Sequence, residues 1–176
     1  MLLPLWLLLL PPARAEAPPD APAAPAAALR LRFFQSQRER RRRSHYDLLI
    51  RPSDHPAALT AIWLEWPESF DGQVLVATLR LCRMDAPPRV SRTHCAAVLP
   101  ARVEPAGPRA LRIVPERPLA GDGVYGLSLL AFNPSLDGFY PLRLRASLAS
   151  DGPEMSESAE PVELGVWRLA IGGDAE

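Results

Sequence analysis

The sequence predicts an antiparallel β-sandwich, immunoglobulin-like or related, built as a single domain. Three observations lead to this fold class. Many short segments alternate apolar and polar residues with a period of two, which is typical of half-buried strands. Clusters of proline and glycine separate these segments at strand-length intervals. No segment shows a convincing long helical pattern, which favours an all-β architecture.

The N-terminal part of the chain is predicted to precede the folded domain. Residues 1–15 contain an apolar run followed by an Ala-Arg-Ala cleavage pattern, which together indicate a secretory signal peptide. The apolar run is shorter than the roughly 20 residues that cross a bilayer, so we expect no transmembrane segment in the mature chain. Residues 16–28 are nearly all proline and alanine, a composition typical of an extended tether.

The sandwich itself is predicted to occupy residues 29–171, with residues 172–176 as a C-terminal tail. Proline on both sides of residues 59–66 favours a strand there, although the apolar residues of this segment also fit a helical stripe. The predicted strands are, in order, 29–34 (an edge strand), 45–52, 59–66, 73–82 (one long strand), 94–100, 110–116, 123–132, 139–148 and 162–171.

The stretch AFNPSLDGFYPL, residues 131–142, joins two of these predicted strands. Pro134 fixes its own φ and biases Asn133 toward extended geometry, while Asp137 and Gly138 allow a positive φ at the other end. The pattern therefore predicts a hairpin in which the two flanking strands pair. We assign this turn a structural role and no chemistry.

The two cysteines of the chain are Cys82 and Cys95. An even number of cysteines in an exported chain favours a disulfide between them. Such a bond would contribute on the order of 3 kcal/mol to stability. Two free buried thiols, or half of a metal site, are the alternatives.

Charge is balanced over the whole chain but unevenly distributed. The formal net charge is zero, so the chain as a whole has no attraction to nucleic acid or anionic lipid. Five arginines are clustered at residues 38–43, and their guanidinium groups could bind the phosphate or sulfate groups of a polyanion. The alternative interpretation is that this cluster is a solvated loop whose charge is balanced by the acidic C-terminal part of the chain. No aromatic residue interrupts the cluster, so we expect no nucleic acid partner. The clustered residues are Arg38, Arg40, Arg41, Arg42 and Arg43.

Aromatic residues form a second candidate binding set. Trp63, Trp66 and Trp167 could stack against the sugar rings of a glycan. Further candidates for such a platform are Tyr125, Phe139 and Tyr140. Aromatic residues on alternating strands more often belong to the core, and this is the competing interpretation.

A metal-dependent enzyme is a third hypothesis. It would use His45, Asp47 and His55, which lie near one another in sequence. However, the chain has no dense metal-ligand spacing, no nucleophile elbow and no phosphate-binding glycine loop. We therefore predict no enzyme, no catalytic residue, no metal and no cofactor.

The order of several motifs resembles a domain-of-unknown-function family of cyanobacterial secreted proteins. These motifs are HYDLLI, LTAIWLEWPESFDG, LRLCR, SRTHC, the block at residues 111–146 and LGVWRLAI. The resemblance covers about residues 33–171, and its most specific part is residues 125–142. It implies a signal-bearing, all-β domain of the periplasm or envelope, with no assigned activity and no functional positions to carry over.

The sequence thus predicts an exported, non-enzymatic module of the periplasm or cell envelope with a binding or structural role. Its partner would be an envelope or periplasmic protein or a glycan. The alternatives are a glycan- or polyanion-binding domain that uses the aromatic residues or the arginine cluster, and the metal-dependent enzyme.

Overall fold

The computed structural model describes residues 29–55, 57–85, 95–149 and 160–172. These residues form eleven strands, and their helical elements are two single-turn 3-10 helices at Pro52–Asp54 and Val76–Thr78. Within the described ranges, no helix has the length and apolar character needed to cross a bilayer. The predicted signal peptide, the tether and all but the first residue of the predicted tail lie outside the described residues.

The strands form two antiparallel sheets. The first sheet has the order β1-β2-β9-β5-β6, with β4 also paired to β9, and the second has the order β11-β10-β3-β8-β7. The predicted antiparallel β-sandwich is confirmed. The strands are β1 (Phe33–Gln35), β2 (Arg43–Ile50), β3 (Leu59–Glu65), β4 (Gln73–Val74), β5 (Arg80–Met84), β6 (Cys95–Leu99), β7 (Ala101–Pro105), β8 (Ala110–Pro115), β9 (Tyr125–Phe132), β10 (Gly138–Leu148) and β11 (Val162–Ile171).

Seven of the strands are arranged as in immunoglobulin domains. Neighbouring strands β1, β2, β9 and β5 take the places of strands A, B, E and D, while β3, β10 and β11 take those of C, F and G. Strand β6 extends the first sheet, and β8 and β7 extend the second.

The hydrophobic core lies between the two sheets and follows the period-two pattern of the strands. On β2, Tyr46, Leu48 and Ile50 are all buried and point inward. Trp167 on β11 is fully buried, and its Nε1–H donates to the carbonyl oxygen of Leu49 at 3.0 Å. Because β11 and β2 belong to different sheets, this bond connects the two layers across the core.

At both edges of the sandwich, a segment of the chain passes from one sheet to the other. Residues 29–31 pair with Val166 of β11, and β1 then pairs with β2 in the first sheet. At the other edge, Pro100 alone separates β6 from β7, which pair in different sheets. Bends of this kind make the corners of a sandwich and cover edges that could otherwise pair with other chains. The predicted edge strand at 29–34 is therefore divided between the sheets.

The single long strand predicted at residues 73–82 is wrong, because the segment is interrupted between β4 and β5. At the interruption, Thr78 Oγ1 accepts a hydrogen bond from the Leu130 N–H at 2.9 Å and donates to the Leu75 carbonyl at 2.7 Å. The threonine side chain thus takes a place that the backbone of a continuous strand would occupy beside β9. The predicted strand at 59–66, in contrast, is confirmed as β3.

The hairpin predicted for residues 131–142 is also wrong. Strand β9 already has β2 on one side and β4 and β5 on the other, so it has no free edge for β10. Residues 133–137 therefore carry the chain from the first sheet to the second. The Tyr140 hydroxyl donates to the Leu136 carbonyl at 2.8 Å, which is the tyrosine corner found between strands E and F of immunoglobulin domains.

Candidate functional site

The predicted arginine cluster lies at one end of the sandwich, in the loop between β1 and β2 and at the start of β2. All five of its side chains are exposed. The crossing at residues 133–137 lies directly against this loop. The Arg41 N–H donates to the Pro134 carbonyl at 3.2 Å, and the Asn133 N–H donates to the Arg42 carbonyl at 2.9 Å. We call residues 36–43 together with residues 133–137 the arginine end.

Asn133 holds the two segments of the arginine end together from inside. Its side chain is buried, and its Nδ2 donates to the carbonyl oxygens of Gln37 at 3.1 Å and Glu39 at 2.8 Å. Its Oδ1 accepts a hydrogen bond from the Tyr46 hydroxyl. The sequence marked Asn133 only as the start of a turn. No local pattern could have assigned it this role, since its partners lie about 90 positions earlier in the chain.

Further hydrogen bonds fix the backbone of the arginine loop. The Gln37 N–H donates to Ser44 Oγ at 3.1 Å, and the His45 N–H donates to Ser36 Oγ at 2.8 Å. The Gly172 N–H, beyond the end of β11, donates to the Arg38 carbonyl at 2.8 Å. A loop fixed in this way loses little conformational entropy when its side chains bind a ligand.

Arg41 has an unusual backbone conformation. Its φ is 56°, in the left-handed region that glycine and asparagine adopt far more readily than arginine. This conformation costs roughly 1–2 kcal/mol for a residue with a Cβ. Such strain is concentrated at functional sites in proteins. The loop therefore retains an arginine where glycine would fit with less strain.

The arginine end has an excess of positive charge. It contains five arginines and two carboxylates, Glu39 and Asp137. Arg40 Nε lies 3.4 Å from Asp137 Oδ1, with both side chains more than half exposed, so this pair contributes little to stability. Among the described residues, the other four arginines form no ion pair. They are Arg38, Arg41, Arg42 and Arg43.

Asp71, in the loop between β3 and β4, attaches the crossing to the rest of the domain. Its carboxylate accepts hydrogen bonds from the Ser135 hydroxyl and, at 2.9 Å, from the Ser135 N–H. These two hydrogen bonds, with a smaller contribution from the charge of Arg41, lower the pKa of Asp71. Asp71 is therefore engaged by Ser135 rather than paired with an arginine side chain.

The metal hypothesis fails on geometry, because the structure brings together only two of its three residues. His45 Nε2 lies 3.0 Å from Asp47 Oδ1 and 3.0 Å from Ser128 Oγ. His55 lies beyond the other end of β2, where its Nδ1 is 2.7 Å from the Ala57 carbonyl. Within the described part of the chain, no group of three His, Cys, Asp or Glu side chains could hold a metal ion.

The contact of His45 with a serine and an aspartate also differs from a catalytic triad. Ser128 and Asp47 both approach the same nitrogen, Nε2. In a triad, one imidazole nitrogen accepts the serine proton while the other is held by the carboxylate. The arrangement at His45 cannot provide that relay, and it satisfies the buried Asp47 carboxylate instead.

The three candidate tryptophans, Trp63, Trp66 and Trp167, lie in different environments and form no common stacking platform. Trp167 belongs to the core, so its predicted role in glycan stacking is wrong. Trp63 lies on the outer face of the second sheet with Arg112 Cζ 5.5 Å from its ring centre. Trp66 follows β3 and is half-buried. Of the other aromatic candidates, Tyr125 and Tyr140 are buried, and Phe139 is exposed.

The predicted disulfide between Cys82 and Cys95 is confirmed. It links the neighbouring strands β5 and β6, with Cα atoms 5.2 Å apart. Cys82 is fully buried and packs in a small cluster with Leu49 and Met84, separate from the main core. The bond therefore fastens the outermost strand of the first sheet to its neighbour.

Comparison with known proteins identifies distant likenesses of shape alone. No protein-family model and no curated protein matches the chain. The collagen-binding domain from a Staphylococcus aureus adhesin has a TM-score of 0.42 and 8% identity, over 84% of this chain and all of that domain. An uncharacterized protein from Nocardia farcinica with an immunoglobulin-like fold has a TM-score of 0.41 and 13% identity, over 82% of this chain and 99% of that one. Likenesses this low carry no information about ligand or activity.

Proposed function

We propose that the chain is an exported, non-enzymatic module of the periplasm or cell envelope that binds polyanions through the arginine end. The single observation that carries this proposal is the left-handed backbone of Arg41. An arginine that is kept in a conformation suited to glycine points to a role for its side chain. Membership of the cyanobacterial secreted family remains part of the same proposal.

The chemistry of the arginine end suits phosphate or sulfate groups. Guanidinium groups donate paired hydrogen bonds to the oxygens of such anions, and binding releases the counterions that surround a polyanion. Four of the five arginines lack a carboxylate partner within the described residues. Asn133 holds the backbone from which they project, so the arginines are arranged before the ligand arrives.

Export is supported by the disulfide between Cys82 and Cys95, since disulfides persist in oxidising compartments. The predicted signal peptide points in the same direction. A non-enzymatic role agrees with the contacts of His45, whose single nitrogen faces both Ser128 and Asp47. That arrangement lacks the proton path of a serine hydrolase.

The test separates the charge of Arg41 from its effect on folding. Arg41→Gly removes the guanidinium and relieves the backbone strain. We expect it to bind a soluble sulfated polysaccharide about fivefold more weakly, corresponding to one exposed ionic contact. Its stability to urea should be unchanged or higher by about 1 kcal/mol.

Arg117→Gly is the matched control, because it makes the same change in charge in the exposed connection after β8, away from the arginine end. We expect this variant to retain the affinity of the unmodified chain within twofold or so. Equal affinities for the Arg41→Gly variant and the unmodified chain would contradict the proposal. An equal loss in both variants would also contradict it, since the attraction would then depend on overall charge alone.

A further inference from the structure

We propose that the polyanion bound by the arginine end is the surface of an anionic phospholipid bilayer, with Leu136 and Phe139 entering the interface. The inference rests on the proposed function and names its ligand. Both side chains are strongly exposed, at 68% for Leu136 and 62% for Phe139. A single exposed apolar residue is ordinary. Here, however, the two residues accompany the arginine cluster, in which four of the five members form no ion pair among the described residues.

The fold places these apolar residues next to the arginines. Leu136 lies in the crossing at residues 133–137, and Phe139 is the second residue of β10. Phe132, the last residue of β9, is 39% exposed and lies opposite Arg43 on the neighbouring strand. Because β9 ends and β10 begins at the arginine end, all three apolar residues lie near that end of the sandwich, with Phe132 on the outer face of the first sheet and Phe139 on that of the second.

Two further contacts place arginines near the apolar residues. Arg168 Cζ lies 4.5 Å from the ring centre of Phe139, which places a cation over its aromatic face. At a membrane interface, such a pair can bury the ring among the acyl chains while the guanidinium stays at the level of the phosphates. Arg40 forms an ion pair with Asp137, the residue that follows Leu136.

The loop tip that carries Leu136 is firmly held. The Leu136 carbonyl accepts the Tyr140 hydroxyl at 2.8 Å, and the preceding Ser135 is bound to Asp71. Leu136 is therefore carried by a supported backbone, and its side chain is exposed. A side chain that is held exposed in this way can enter a bilayer without reorganisation of its loop.

The combination of charge and apolar surface favours a bilayer over a soluble polymer. A sulfated polysaccharide offers anionic groups to the arginines and at most a sugar ring to Phe139, but it has no apolar interior that Leu136 and Phe139 could enter. An anionic bilayer offers both phosphates and acyl chains, and proteins on its surface gain from both kinds of contact. The segment at residues 132–139 supplies the apolar part, and the arginine loop supplies the charge.

The experiment compares binding of the chain and its variants to two kinds of vesicle, zwitterionic phosphatidylcholine alone and phosphatidylcholine mixed with phosphatidylglycerol. The zwitterionic vesicles measure any contribution of the N-terminal apolar run, which every variant shares. We expect the mixed vesicles to bind the unmodified chain more tightly. The Leu136→Ser and Phe139→Ser variants should each bind them about tenfold more weakly.

Val98→Ser is the matched control, because Val98 is 59% exposed but lies on β6, away from the arginine end. It should leave vesicle binding unchanged. A Phe139→Trp variant gives an independent readout, since indole emission should shift to the blue on mixed vesicles. The soluble sulfated polysaccharide should bind the two serine variants as it binds the unmodified chain.

The outcomes distinguish this inference from the proposed function. If the serine variants bind the mixed vesicles as tightly as the unmodified chain, the bilayer is the wrong ligand. Retained polysaccharide binding would then leave the proposed function standing. If the unmodified chain binds neither the polysaccharide nor the mixed vesicles beyond the zwitterionic level, the proposed function fails and this inference fails with it.

Discussion

Asn133 is the residue on which the position of the arginine loop depends most directly, and Asn133→Ala tests that dependence. The substitution removes an acceptor for the Tyr46 hydroxyl and a donor to the Gln37 and Glu39 carbonyls. It leaves the fold of both sheets otherwise intact, because Asn133 lies outside the strands. We therefore expect a loss of stability together with a loosening of the loop.

The size of the stability loss depends on how well water can replace each hydrogen bond that Asn133 makes. The Tyr46 side chain is 1% exposed, so its hydroxyl would lose its acceptor in a place where water cannot easily replace it. That costs about 1–3 kcal/mol. Gln37 and Glu39 are exposed, so water can reach their carbonyls, and each lost bond costs about 0.5 kcal/mol. The expected total loss in the free energy of unfolding is about 3 kcal/mol.

Urea unfolding followed by tryptophan fluorescence measures this loss, and Tyr46→Phe completes a double-mutant cycle. In the Tyr46→Phe background the hydroxyl is already absent, so Asn133→Ala should cost about 1–2 kcal/mol less than in the unmodified chain. Asn133→Asp should also destabilise, because a carboxylate cannot donate to the two carbonyls. A cost for Asn133→Ala below about 0.5 kcal/mol, or an absence of coupling to Tyr46, would refute the reasoning.

Two further predictions concern a titrating group and a glycine. Burial raises the pKa of Tyr46 to about 12, against 10.0 for an exposed tyrosine, so the unfolded chain loses this proton at lower pH than the folded chain. The stability contributed by protonated Tyr46 is therefore complete below about pH 10, and roughly 3 kcal/mol of it is lost as the pH rises toward 12. Urea unfolding measured at several pH values should show this loss. The Tyr46→Phe variant should not show it. Gly165 has a φ of 152°, and a Cβ at this position would meet the Leu29 carbonyl oxygen. We therefore expect Gly165→Ala to separate residues 29–31 from β11. The free energy of unfolding, measured by heat or urea, should fall by about 2–4 kcal/mol. Gly107→Ala is the control, since Gly107 also has a positive φ but has open space around it; an equal cost in both variants would show that the contact with Leu29 is unimportant.

Local patterns in the sequence predicted much of the fold. The alternation of Tyr46, Leu48 and Ile50 identified the inward face of β2, and the prolines around residues 59–66 identified β3. The cysteines were paired correctly because a chain with two cysteines has one possible intramolecular disulfide. These features depend on residues close in sequence or on simple counting.

Pairing between segments that lie far apart in the sequence was harder to predict. The Asn-Pro and Asp-Gly pairs marked a change of direction at residues 131–142, but a turn signal does not specify whether the next strand joins the same sheet. That choice depended on β2, β4 and β5, which occupy both sides of β9. The interruption at Thr78 likewise depends on a bond to Leu130, more than 50 positions later.

The candidate site was predicted in pieces rather than as a unit. The sequence identified the arginine cluster and the turn at residues 133–138 separately, and it gave the turn no function. Their contact runs through Asn133, whose partners Gln37 and Glu39 could be recognised only in the folded chain. The left-handed φ of Arg41 also has no signal in sequence, because glycine or asparagine normally marks such a position.

The salt dependence of polyanion binding tests the central claim most directly. Affinity for soluble inorganic polyphosphate should be measured over a series of salt concentrations for the unmodified chain and for Arg41→Gly. With four unpaired arginines in contact, we expect the logarithm of the affinity to fall against the logarithm of salt concentration with a slope of about −3. Because Arg41→Gly removes one phosphate contact, it should make that slope shallower by about 0.7–0.9 units. An affinity that does not vary with salt, or the same slope in both proteins, would contradict binding through the arginine end.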